Sequence, residues 1–380
     1  MKVIFWQTII TPHIFYLAES LGSLNIDVTY VALNKSTPDR SVMGWNITPS
    51  STSCVRFHLI NSLESLNDFL ASPISDAFHI FQGVRGDKFL SFCQSKVSNF
   101  GFKQIIMLES PNLNNILFSY LKSQIYKHIF SSTNDLITAY LAIGYRLPLW
   151  LAAHNVPPSK IYQFAYFLDS PSNNLDPSSP SSISHKKFRF LYVGSLLKDK
   201  GVLDLFKIFV SNKYLRLYSS LHFIGDGPLR KSLESHSHCL RSEISHEVVF
   251  HGNVHNSQIP HFMSHADCLV LPSRHDGWGA VVSEALLSGT PVIVSSSCGS
   301  AEVARLSRLS SVFNSRDWPS LLTLMLAHLF RGRISSHSRE QLQSWARCLS
   351  ADCGAVYLAS ILKHLQSSSI IQDRPAPPWQ

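Results

Sequence analysis

Short apolar runs alternate with stretches of helical periodicity along nearly the whole chain, and few folds accommodate that alternation. Lys2–Trp6 is a strand-like run. A turn through Thr11 and Pro12 follows, and a helical pattern then extends from His13 to Leu24, with Pro12 suited to the first helical position. Further runs at Val28–Leu33, Ala77–Phe81, Gln104–Leu108 and His128–Phe130 continue the series. The segment Ser170–Ser184, SPSNNLDPSSPSSIS, holds almost no core-forming residue and reads as a linker spanning 169–187. A second series follows it, with runs at Phe188–Gly194, Leu221–Gly225, Val248–Gly252, Cys268–Pro272 and Pro291–Ser295. Apolar strands separated by helices belong to parallel sheets covered on both faces. The expectation is an α/β protein of two Rossmann-like, doubly wound domains, at 1–168 and 188–339.

The length agrees, because 380 residues exceed one compact core and suit two domains. Hydrophobic residues make up 45% of the chain and charged residues 15%, enough apolar surface to offset the entropy of ordering. No apolar run reaches the roughly 18 residues of a membrane-spanning helix, and Met1–Trp6 lacks the basic start of a signal peptide, so a cytoplasmic location is expected. Cys54, Cys93, Cys239, Cys268, Cys298, Cys348 and Cys353 show no C-x-x-C spacing, which argues against a zinc site or a disulfide framework. The net charge of +8 points to an anionic partner. The basic residues are dispersed and no recognition motif accompanies them, so nucleic acid is not expected.

Ligands of open parallel sheets bind beyond the carboxyl ends of the strands, where loops lead into helix N-termini. The most informative such loop lies in Leu271–Ile293, LPSRHDGWGAVVSEALLSGTPVI, where a strand ends at Pro272 and a helix starts near Gly279. Asp276 lies in the loop and Glu284 eight positions later on the helix, so the two carboxylates can reach different parts of one extended ligand. Gly277 and Gly279 let the backbone come close to that ligand. Backbone N–H groups from Gly279 through Ala280 and Val281 to Val282 can cradle a phosphate with help from the helix dipole, without a metal. The plainer reading is that Asp276 caps the helix and Glu284 sits on a solvated face.

The segment resembles the acidic motif of retaining glycosyltransferases of family 4, the glycosyl transferases group 1. Two acids separated by seven residues are followed by EAL-x-x-G-x-PVI, here Ser283–Ile293. The resemblance implies the GT-B fold, two Rossmann-like domains facing across a cleft, with C-terminal helices at 340–366 crossing back to the N-terminal domain and a flexible tail at 367–380. It implies that Asp276 approaches the donor sugar, where most members have Glu, and that Glu284 binds the ribose hydroxyls. Trp278 belongs to the same S-R-x-D-G-W-G stretch and counts with the donor site. Tyr192–Val202 is similar to the family's Gly-x-Leu…Lys-Gly loop, which gives Lys200 the donor diphosphate. Ser195 stands where members often carry an arginine. Phe223–Arg230 resembles the Gly-x-Gly-Pro turn around Gly225, and Phe250–Val254 resembles the loop that meets the base, which gives Asn253 and Val254 base contacts. His13, after the first strand, is placed to touch donor or acceptor, and Glu109 to bind the acceptor; each could instead play only a local structural part.

The implied activity is transfer of a sugar from a UDP- or GDP-linked donor to an acceptor hydroxyl, with anomeric configuration kept, no cofactor, and a role in cell-envelope polysaccharide or glycolipid synthesis. A non-catalytic nucleotide-sugar-binding homologue is the alternative that Asp276 and Ser195 keep open. A Rossmann oxidoreductase is disfavoured, because no G-x-G-x-x-G follows the first strand. Asn115–Phe130, NILFSYLKSQIYKHIF, has helical spacing with Lys122, Lys127 and His128; it reads either as a core-facing amphipathic helix or as a peripheral contact with the anionic inner face of a membrane.

Overall fold

In the N-terminal half, β1 (Lys2–Ile9) carries the apolar run Val3–Trp6 and buries six of its eight residues, as a strand sandwiched between helix layers requires. In the structure, a computed structural model that describes residues 1–37, 52–72, 74–84, 86–112, 116–169, 187–239, 247–367 and 373–380, it lies in the interior of a parallel sheet. Its companions are β2 (Asp27–Asn34), β3 (Val55–Leu59), β4 (Ala77–Gln82), β5 (Gln104–Glu109), β6 (Ile137–Ile143) and β7 (Ile161–Phe164), in the order β3-β2-β1-β4-β5-β6-β7. The connecting helices are α1 (Pro12–Ser23), α2 (Leu63–Leu70), α3 (Lys88–Asn99), α4 (Ile116–Thr133) and α5 (Leu147–Ala153). Pro12 opens α1, and the Asp87 carboxylate caps α3 by accepting from the Phe89 and Leu90 amides.

His128–Phe130, expected as a strand, lies inside α4, and the strand at that point of the series is β6. A three-residue apolar run suits either structure. Packing accompanies the helix: Phe130 is buried edge-on to Tyr140 of β6 and Trp150 of α5.

The second sheet is also wholly parallel. Its strands are β8 (Phe188–Val193), β9 (Ser219–Ile224), β10 (Val248–Gly252), β11 (Cys268–Leu271), β12 (Val292–Ser295) and β13 (Ser311–Phe313), ordered β10-β9-β8-β11-β12-β13. Around it lie α6 (Val202–Ser211), α7 (Lys213–Tyr218), α8 (Arg230–Cys239), α9 (Ile259–Ser264), α10 (Ala280–Leu287), α11 (Ala301–Leu306), α12 (Trp318–Arg331) and α13 (Ser336–Ala346).

The chain divides into two compact units. Unit 1 comprises Met1–Asp169 with Cys348–Gln380, and unit 2 is Ser170–Arg347. The stretch expected as a linker lies, for residues 170–186, outside the described residues. Of the stretch expected to cross back, the first part stays with unit 2, where Arg339 of α13 donates to the Thr290 hydroxyl at 2.8 Å and to the Ala266 carbonyl at 2.9 Å. The last helix, α14 (Ala351–Gln366), belongs to unit 1. Its Tyr357 hydroxyl donates to the Gln163 carbonyl at 2.9 Å, and Asp352 accepts from Ser20 of α1 at 2.7 Å.

Residues 367–380 were expected to form a flexible tail, and the part at 373–380 instead packs against unit 1. The Arg374 guanidinium donates to the carbonyls of Pro158 and Ile161 and lies 4.4 Å over the Tyr162 ring. Trp379 is 5% exposed, beside Phe167. A buried indole and an arginine satisfied by carbonyls hold the segment where a polar, proline-rich sequence suggests none.

Candidate functional site

In unit 2 the strand order turns at β8 and β11, and the loops leaving their carboxyl ends are laced together by backbone hydrogen bonds. The loop after β8 carries Ser195 and Lys200. It binds the loop after β9 through Leu196 N–H to Asp226 O at 2.9 Å, and the loop after β11 through Arg274 N–H to Asp199 O at 2.8 Å. The loop after β11 is fixed in turn to the loop after β12: Asp276 pairs with Cys298 in an isolated parallel bridge, and Gly299 N–H donates to Asp276 O at 3.1 Å. Gly225 ties the β9 loop to the β10 loop by donating to Gly252 O at 2.7 Å, just before Asn253 and Val254.

Within that frame Lys200 and Asp276 meet. The Lys200 ammonium donates to the Asp276 carboxylate at 2.7 Å, although the two lie 76 positions apart. Burial draws the Lys200 pKa down, but the Asp276 and Asp199 carboxylates outweigh it and leave it above the ordinary value, so the ammonium stays charged. Two glycines make the approach feasible. Gly201, directly after Lys200, has φ +70°, and a Cβ there would stand 2.4 Å from the Pro272 carbonyl oxygen. Gly279, at φ +83°, forms the N-cap of α10, and a Cβ would stand 2.9 Å from Leu271 Cδ2.

Because Gly279 offers no side-chain cap, the Ala280 and Val281 amides open α10 without the usual partner. Such a helix start attracts an anion. Glu284, one turn further along α10, is partly buried, and burial raises its carboxyl to about 7. A carboxylate held so in a half-dry site gains from hydroxyl donors brought by a ligand.

Trp278 departs from its expected place among ligand contacts. It is 2% exposed, and its indole N–H donates to the Ser283 hydroxyl at 3.0 Å. Its burial and its hydrogen bond to α10 tie the loop to the helix start from within the core. Ser195 and Asn253 are exposed and Val254 is half-buried, each on its expected loop. Sequence reasoning assigned no role to Tyr192 or Arg274. The buried Tyr192 hydroxyl donates to Ser195 O at 2.8 Å, its pKa pushed up by burial and by Asp276 and Asp199. Arg274 pairs with Asp204 at 2.8 Å, so both residues set the loop that presents Lys200. The aromatic closing β8 just before a glycine was the available signal for Tyr192.

His13 and Glu109 come together in unit 1, lining a cavity of about 420 Å³ at the carboxyl ends of β1, β4, β5 and β6. The His13 ring lies 4.2 Å from that of Tyr166, and Glu109 is exposed at the end of β5. Elsewhere on unit 1, α4 exposes Tyr120 (67%), Leu121 (59%) and Ile125 (43%) beside Lys122 and Lys127. No described helix is long and apolar enough to cross a membrane.

Residues 177–321 match the family model of glycosyl transferases group 1. Over 116 residues the chain is 34% identical to an uncharacterized glycosyltransferase of Methanocaldococcus jannaschii, which covers 30% of this chain and 29% of that protein. Over 103 residues it is 34% identical to a putative teichuronic acid biosynthesis glycosyltransferase of Bacillus subtilis, covering 27% and 23%. The chain thus spans less than a third of the length of either relative. The crystal structure of Anabaena HepE in complex with UDP matches with a TM-score of 0.71 at 13% identity, over 96% of this chain and all of that one. That likeness establishes the two-domain GT-B fold, and the sequence matches relate the chain to glycosyl transferases group 1.

Proposed function

We propose that the chain is a retaining, metal-independent glycosyltransferase that takes a nucleoside diphosphate sugar at unit 2. The observation that carries the reading is the charged Lys200 ammonium, held by Asp276 beside the uncapped N-terminus of α10. A departing diphosphate needs its negative charge stabilised, and an ammonium with a helix start supplies that in place of a metal ion. Glu284 then accepts from the ribose hydroxyls, and Asp276 is positioned for the donor sugar once a phosphate draws on Lys200. Front-face attack by the acceptor hydroxyl, aided by the diphosphate, is the route that the resemblance to retaining glycosyltransferases implies and the one proposed for retention.

HepE was solved with UDP and with UDP-glucose, which supports a UDP-sugar donor, and the Bacillus relative's teichuronic acid role supports an envelope polysaccharide or glycolipid acceptor. The exposed Tyr120, Leu121 and Ile125 beside Lys122 and Lys127 favour docking on an anionic lipid surface, which co-sedimentation with phosphatidylglycerol but not phosphatidylcholine vesicles would support.

The test is thermal stabilisation by UDP, GDP, ADP and NAD in excess EDTA, on wild type and Lys200→Met, followed by the anomeric configuration of any product by NMR. One diphosphate should stabilise wild type, and Lys200→Met should bind it about 10- to 100-fold more weakly, the loss of one charged hydrogen bond. Stabilisation by NAD alone, a requirement for metal, or an inverted product would defeat the proposal. Diphosphate binding with no turnover of any sugar donor would favour the non-catalytic homologue.

A further inference from the structure

Gln7 is the one polar side chain of β1 that is buried: it is 1% exposed, and its amide Nε2 has no hydrogen-bond partner among the described residues. A buried amide left unpaired is costly, and an apolar side chain of the same length would fill the place without that cost. Gln7 also lines the unit 1 cavity, which straddles the point where the strand order reverses between β1 and β4. The aromatic walls of the cavity are Tyr126, Trp150 and Tyr166. Its acidic groups are Asp87, occupied in capping α3, and Glu109 at the exposed rim, and no Lys or Arg lines it among the described residues.

Flat aromatic faces with a few hydrogen-bonding groups suit a polyhydroxylated ring. The wall itself carries two acids and His13, while Lys88 and Lys122 line an adjoining pocket that shares Val84, Gly86, Pro111 and Tyr126, so a phosphate is the poorer fit for the seat beside Gln7. The geometry points to Gln7 as a specificity-determining residue. Its amide donates to an oxygen of a neutral or amine-bearing sugar ring, without phosphate, seated in the unit 1 cavity. Naming that ring the acceptor rests on the glycosyltransferase reading above; the seat itself stands on the orphaned amide and the cavity that surrounds it.

The experiment uses the full chain as wild type and Gln7→Met. Saturation-transfer NMR is run with the methyl glycosides of glucose, galactose and glucosamine and with glucose 6-phosphate, and melting temperatures are taken with and without UDP. At least one methyl glycoside should bind wild type, with glucose 6-phosphate showing no transfer. Gln7→Met should weaken that glycoside about 10-fold or more. Its melting temperature should be equal or higher, because an isosteric apolar group replaces an unpaired one, and its UDP response should be unchanged. Equal glycoside binding by the variant, no binding of any methyl glycoside, equal binding of glucose 6-phosphate, or a lower melting temperature with binding intact would each overturn the inference. Gln7-dependent glycoside binding without any UDP response would sustain the seat while removing the donor reading.

Discussion

Glu284→Gln should make the free protein more stable and its ligand response weaker. The carboxyl titrates near 4.5 when unfolded and near 7 in the fold, with burial as the cause. Proton binding therefore contributes stability that is fully present below about pH 4.5 and is lost as pH rises through 7. The amide is neutral throughout, so variant and wild type should melt together near pH 4.5 and diverge to a plateau above pH 7. A displacement of that size corresponds to roughly 3 kcal/mol, which the partial exposure of the side chain screens to about 2 kcal/mol. For a domain of this size that is about 4–8 °C in melting temperature. UDP at a hundredfold excess over its Kd should stabilise wild type by about 2.7 kcal/mol. On the proposed contact of Glu284 with the ribose, that response should grow between pH 6 and 8, because only an ionised carboxylate can accept from both hydroxyls. In Glu284→Gln it should shrink by about 1.5 kcal/mol or more and lose its pH dependence. The assay is differential scanning fluorimetry across pH, with and without UDP. A variant that melts below wild type at pH 8, or a gap that does not widen from pH 5 to 8, would refute the reasoning.

Gly201→Ala should destabilise unit 2 by about 2–4 kcal/mol, because the new Cβ meets the Pro272 carbonyl in a left-handed backbone conformation; a urea midpoint within about 1 kcal/mol of wild type would contradict this. Trp379→Ala should cost unit 1 about 3 kcal/mol through loss of a buried indole, with the UDP response of unit 2 unchanged; an unaltered melting profile would show the segment to be loose.

The loops that frame the proposed donor site were legible because their residues sit in short contiguous stretches. Lys200-Gly201 and Asp276 through Glu284 each combine charge and glycine within one loop and one helix start, and the sheet order brings the two stretches together. Elements fixed by distant contacts were not legible. Strands such as β3, β7 and β13 are short and mix polar with apolar residues, so they do not stand out as the equally short but apolar β11 and β12 do. The place of Trp278 depends on the Ser283 hydroxyl, and the docking of Arg374 depends on carbonyls more than 200 positions earlier. Gln7 fell outside the strand run read as Lys2–Trp6, and its meaning lies in the partner its amide lacks among the described residues.

Unit 1 is made of two separated stretches, and unit 2 is continuous between them. On a ribosome the first stretch emerges with the face of α1 that α14 will cover still bare. Synthesis of unit 2 then occupies roughly ten to forty seconds before α14 exists. The later-made unit can close first, and the earlier one stays open until α14 has been made. Throughout that interval the nascent protein presents apolar surface to chaperones and to its neighbours on the same message, so a codon change that slows translation of unit 2 should lower the yield of folded protein without altering a single residue.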